Sequence, residues 1–93
     1  MAILTDKVSV SKDVLVSEVE NEAVLLNQAT GKYFTLDEIG VRIWQLIVQH
    51  GQLEQVHQAM LAEYDVDPQK LGQDLLDLTD KLVANELLQI DAS

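Results

Sequence analysis

The hydrophobic pattern of the chain changes period at Asp37, and that switch limits what the chain can fold into. Before Asp37 the sequence is rich in β-branched residues, and after it the apolar residues recur at helical spacing. Strands collected in one half and helices in the other predict an α+β arrangement. At 93 residues, the length is that of one domain with one modest core. The expected organisation is therefore a single domain over 1–93, with sheet over about 7–36 and helices over about 37–86. The switch lies inside LLNQATGKYFTLDEIGVRIWQLI, residues 25–47. Strand, glycine turn, strand and helix start are compressed into that one stretch.

Residues 8–10 and 14–19 alternate loosely and end at Glu20-Asn21, where Asn21 can supply the left-handed conformation of a tight hairpin. Residues 23–27 read as the returning, largely buried strand. Residues 28–31 form the next turn, with Gly31 placed for a positive φ. Residues 32–36 follow as a third strand, its pleat setting Tyr33 and Thr35 on one face and Phe34 and Leu36 on the other. A three-stranded antiparallel meander is predicted.

Asp37 is suited to cap the first helix, and Leu36 and Val41 are spaced as a hydrophobic staple. Ile39, Ile43, Leu46 and Ile47 share one helical face, flanked by Val41, Trp44 and Val48, so this helix should be central to the core. Gly51 stops it. A second helix, near 53–64, carries the narrower stripe Leu53, Val56, Met60 and Tyr64. The third helix has Asp67 as cap, Pro68 in its first position and Val66 and Leu71 as staple. Its stripe is Leu71, Leu75, Leu78 and Leu82, widened by Leu76 and Val83 beyond what one packing contact requires. Asn85 is a stop, and residues 87–90 read as a short final extended segment. Three strands followed by three helices describe a winged-helix-like module with its sheet placed first.

Composition narrows the chemistry. Sixteen acidic against six basic side chains, a formal net charge of −10, would repel a phosphate backbone, and no basic cluster converges for nucleic acid. No apolar run is long enough to span a bilayer, and residues 1–10 lack the basic start and apolar core of a signal peptide. The absence of cysteine excludes disulfides and thiol chemistry and fits a cytoplasmic protein. His50 and His57 are separated by the break at Gly51, lack partners for a metal set and read as surface residues. Asp65 and Asp67 precede Pro68 and read as helix-start residues rather than a magnesium site. Asp74, Asp77 and Asp80 lie along one side of the third helix as a solvated face. There is no nucleophile elbow and no phosphate-cradling glycine loop. The chain reads as a non-enzyme with no cofactor, metal or catalytic residue.

Tyr33 and Phe34 stand apart from that bland background. Adjacent strand residues face opposite ways, and the helices can cover only one face. One aromatic must therefore border solvent or a groove, so packing and binding are both open for this pair.

The residues Leu25-Leu26-Asn27, Thr30-Gly31-Lys32-Tyr33-Phe34, Leu36-Asp37-Glu38-Ile39-Gly40 and Ile43-Trp44, in that order and spacing, resemble the PqqD-like family. These are the recognition elements of pathways that make ribosomally synthesised, modified peptides. Asp37 stands where the family commonly has Asn, and caps equally well. The resemblance implies binding of the leader segment of a precursor peptide, added as an antiparallel strand beside the third strand over a groove bordered by the third helix. Carried onto this chain, the implied site is Lys32, Tyr33, Phe34 and Thr35 with Leu71, Asp74, Leu75 and Leu78. It also implies a partner that acts on the presented peptide. The turn and the Trp are closer to stand-alone leader-binding proteins of lasso-peptide pathways, which serve a leader protease. The alternative is a peptide chaperone for a radical SAM enzyme, as in the pyrroloquinoline quinone pathway. A winged-helix DNA binder and an adaptor that forms a homodimer through the same edge are the other classes to separate.

Overall fold

The computed structural model describes residues 1–91. The elements in chain order are β1 (Lys7–Val10), β2 (Val14–Val19), β3 (Glu22–Asn27), β4 (Tyr33–Leu36), α1 (Glu38–His50), α2 (Leu53–Glu63), α3 (Pro68–Ala84) and β5 (Leu88–Asp91). Three strands, β2–β3–β4, form the antiparallel meander that the pattern predicts, followed by three helices. The predicted third strand is β4.

The first predicted strand is divided. Asp13 takes φ +67 and breaks the extended run, and its carbonyl accepts from Gln28 N at 2.9 Å to close the end of the meander. β1 leaves the meander and pairs with β5 in a second, two-stranded antiparallel sheet, Lys7 opposite Asp91 and Val10 opposite Leu88. The final extended segment is thus a paired strand. The hairpin joining β2 to β3 also differs from expectation, since Glu20 rather than Asn21 holds the positive φ, at +58. A non-glycine residue there costs on the order of 1 kcal/mol.

Between β3 and β4 the turn is organised by Asn27, which is buried. Its Oδ1 accepts from Ala29 N at 2.9 Å and Thr30 N at 3.2 Å, while Nδ2 donates to Glu86 O at 2.7 Å. One side chain therefore shapes the turn and joins it to the segment after α3. Gly31 completes the turn at φ +79, a conformation that a side chain at this position would oppose.

Asp37 Oδ1 accepts from Gly40 N at 2.8 Å, and Asp67 Oδ1 from Gln69 N at 3.0 Å, so both predicted caps form. The first cap leaves little room: a Cβ on Gly40 would meet Leu36 at 3.1–3.2 Å, so glycine permits the close approach of α1 to β4. The core gathers Ala23, Leu25 and Leu36 from the meander, Ile43, Trp44, Leu46 and Ile47 from α1, Leu53, Val56 and Met60 from α2, and Leu75 and Leu82 from α3. Two residues assigned to the apolar surface of α1 lie outside it, Ile39 and Val48, both exposed.

His57 is the other departure. It is buried on the inner stripe of α2, and its Nε2–H donates to Pro68 O at 2.8 Å, tying α2 to the first turn of α3. The surface position expected for it holds only for His50. A polar ring can occupy a core position because the carbonyl satisfies its proton.

Candidate functional site

The free edge of β4 follows from the hydrogen-bond alternation of an antiparallel ladder. Asn27 N donates to Lys32 O at 2.8 Å, so this pair, one step beyond the ladder, directs its backbone groups inward. The register continues as Leu26 with Tyr33, Leu25 with Phe34, Val24 with Thr35 and Ala23 with Leu36. Inward-directed pairs alternate with pairs whose groups point away, so Phe34 and Leu36 bond to β3. Tyr33 and Thr35 turn their N–H and C=O groups to the open edge. The side chains follow the predicted pleat, with Leu36 buried, Phe34 half-buried and Tyr33 65% exposed on the opposite face.

Beside this edge runs a groove in two compartments. The first, about 450 Å³, is lined by Phe34, Thr35 and Leu36 of β4, by Ile39, Gly40 and Ile43 of α1 and by Leu78 of α3, with Glu22, Asp37 and Asp74. The second, about 340 Å³, is lined by Ile39, Met60, Tyr64, Val66 and Leu71, with Asp67, Lys70 and Asp74. Ile39 and Asp74 belong to both and form the divide between them. Each compartment is predominantly apolar with a few polar groups, the general make-up of a ligand cleft.

The carboxylates differ in what they are free to do. Asp37 and Asp67 are engaged as helix caps. On α3, Asp77 accepts from Gln73 Nε2 at 2.9 Å and Asp80 from Ala2 N at 2.7 Å. Glu22 and Asp74 have neither a hydrogen bond nor an ion pair with any other described residue. The solvated aspartate face therefore reduces to one free carboxylate, and it sits at the middle of the groove. Arg42 is held by Glu63, with Nε to Oε1 and Nη2 to Oε2 both 2.7 Å. That hydrogen bonding raises the Arg42 pKa and lowers that of Glu63 from their ordinary values, and the pair braces α1 against the end of α2.

The predicted site residues separate into four positions. Phe34, Thr35, Leu71, Asp74 and Leu78 line the groove. Tyr33 lines neither compartment and offers its backbone to the edge, its ring lying on the far face. Lys32 stands at the turn end, 3.8 Å from Glu86 in a half-exposed ion pair. Leu75 is 1% exposed and belongs to the core beneath the groove, so it has no surface to offer a ligand. Sequence reasoning left out Ile39, Tyr64 and Val66. Ile39 carried no separate signal, because helical spacing places it on the same face as Ile43, Leu46 and Ile47.

An α+β domain with an open strand edge beside an apolar groove is the class of molecule these features define. The family model for coenzyme PQQ synthesis protein D (PqqD) matches residues 22–88, and the chain belongs to the PqqD family. Among solved structures, it is similar to TbiB1 in complex with the TbiA(beta) leader peptide. The identity is 38% and the TM-score 0.82, over 91% of this chain and 99% of that one. It shares its fold with lasso peptide synthetase B1 complexed with the leader peptide at 22% identity and TM-score 0.78, over 89% of this chain and 98% of that one. No curated protein sequence matches the chain. Among the described residues, no helix is long and apolar enough to cross a membrane.

Proposed function

We propose that this protein binds the leader segment of a ribosomally made precursor peptide by strand addition to β4 and presents the remainder to an enzyme. In this reading it performs no chemistry of its own. The observation that carries it is the outward direction of the Tyr33 and Thr35 backbone groups beside the apolar groove. An added strand would satisfy those groups in a largely sequence-independent way, each net hydrogen bond contributing about 0.5–1.5 kcal/mol. Its alternate side chains would enter the two compartments and supply selectivity. Asp74, free at their divide, would favour a basic side chain between two apolar ones. The 38% identity to TbiB1, seen with a leader peptide, supports the same ligand class.

The enzyme served is a leader protease or another modifying enzyme. The PQQ synthesis family name favours a radical SAM partner as the second reading. The test is calorimetry with the leader of the precursor encoded beside this chain, with an expected Kd between micromolar and nanomolar, about −8 to −12 kcal/mol. No heat with that leader, and no competition by related leaders, would overturn the proposal.

A further inference from the structure

The inner stripe of α2 is apolar, with Leu53, Val56 and Met60 all buried, and His57 interrupts it. A leucine there would pack without desolvating a polar ring. What histidine adds is the directed bond from Nε2–H to Pro68 O at 2.8 Å. Among the described residues this is the only hydrogen bond between α2 and α3. On α3 the ring lies against Gly72, where a Cβ would meet His57 Nε2 at 3.4 Å and Cδ2 at 3.8 Å. Glycine is unfavourable inside a helix, so two locally costly residues meet at one point of the α2–α3 contact.

We infer that His57 is a positioning residue: through Pro68 it sets the width of the second compartment of the groove, and so which leader side chain fits there. The inference rests on the leader-binding reading above. Met60 and Tyr64 line that compartment from the end of α2, Lys70 and Leu71 line it from α3, and Val66 lies in the link between them. Both ends of that link are extended, Tyr64 at φ −127 and Asp67 at φ −65, so the link alone leaves the angle between the helices open. Two ties close it. Glu63 fastens the end of α2 to Arg42 of α1, and His57 fastens its middle to the first turn of α3. His57 does not itself line the compartment, so it acts on a bound side chain only through the walls it holds. Dispersion contacts lose roughly a quarter to a half of their energy across a gap of about 0.5–1 Å. A small shift of the first turn of α3 is therefore enough to change the fit.

The test uses the full chain and the neighbouring precursor's leader, both native and with alanine at each position in turn. His57→Leu keeps the stripe apolar and removes the donor, and leader affinity in calorimetry should fall about fivefold. His57→Gln offers an amide N–H at the same reach and should bind leader within about twofold of wild type. In denaturant unfolding the order should reverse, because an amide is the poorer core residue. A merely structural role would rank the two variants alike in both measurements. The loss in His57→Leu should concentrate at one leader position, where alanine costs the variant much less than it costs wild type. Alanine at that same position should lose its effect in Leu71→Ala and keep it in Leu78→Ala, since of these two only Leu71 lines the second compartment. A further readout needs no variant. Coupling is reciprocal, so bound leader should slow exchange of the His57 Nε2–H with water, seen as a sharper imidazole N–H signal in NMR. Wild-type affinity in His57→Leu, no rescue by His57→Gln, a loss spread evenly along the leader, or unchanged exchange would each overturn the inference and leave leader binding standing. A wild-type chain that binds no leader in calorimetry overturns the leader-binding reading itself and this inference with it.

Discussion

β2 and β4 are the two edges of one sheet, and they differ in what surrounds their open backbone groups. By the same alternation, β2 turns the N–H and C=O groups of Val14, Val16 and Glu18 outward. β2 is exposed along almost its whole length, and Glu18 places a carboxylate on it, a feature that discourages pairing with another strand. β4 is shorter, but α1 and α3 stand beside it and enclose an apolar groove. Backbone groups alone make an edge adhesive; a walled edge can also select. The difference lies in the packing of α1 and α3 against β4, since both strands carry the same unpaired groups.

The largest effect expected from breaking this comparison is at Leu75, beneath the wall. Leu75→Ala should cost about 2–5 kcal/mol of stability in denaturant unfolding, as a fully buried leucine does. Leu78→Ala and Leu71→Ala, half-buried in the groove lining, should cost less stability while weakening leader binding in calorimetry. If all three lower stability alike and the folded fraction binds normally, α3 is only scaffold.

The edges themselves can be exchanged by proline. Thr35→Pro removes an outward N–H from β4 and Val16→Pro removes one from β2, so neither breaks a bond to β3. The β4 change should weaken leader binding by about tenfold or more, roughly 1–3 kcal/mol, with little change in thermal midpoint. The β2 change should leave binding intact. Equal loss from both would show that the peptide does not choose β4.

Asp74→Asn should have a smaller effect, about 1 kcal/mol on binding, with a flatter salt dependence if a basic leader residue meets it. The smallest concerns the brace formed by Arg42 and Glu63. Hydrogen bonding to Arg42 lowers the Glu63 pKa from the ordinary carboxylate value, so its contribution to stability is present above that ordinary value and lost as the pH falls through the lowered one. In urea unfolding, Glu63→Gln should therefore be less stable than wild type near neutral pH and converge with it in acid. A constant gap between the two would remove Glu63 ionisation as the cause.

The local parts of this fold were legible in the residues. Asp37 and Asp67 cap because a carboxylate two or three residues ahead of an unpaired N–H reaches it without help from the rest of the chain. Gly31 marks the turn, and alternation along β4 separates Tyr33 from Phe34. Of the groove, Phe34, Thr35, Leu71, Asp74 and Leu78 could be named in advance, largely through family resemblance. Ile39 could not be separated from the core stripe, nor Leu75 from the groove, because helical period gives a face and not the depth to which a neighbour covers it.

By itself, then, the sequence determined where strands give way to helices, where each helix begins and which strand residues share a face. These depend on contacts within a few residues. Only the tertiary structure decided that β1 pairs with β5 across the chain, that His57 is buried against Pro68 O, and that the meander's outer face stays open. It also decided that one of two chemically similar edges acquired a groove. Each of those outcomes depends on which distant segments meet, and the residues at either end of such a contact carry no local signal of their partner.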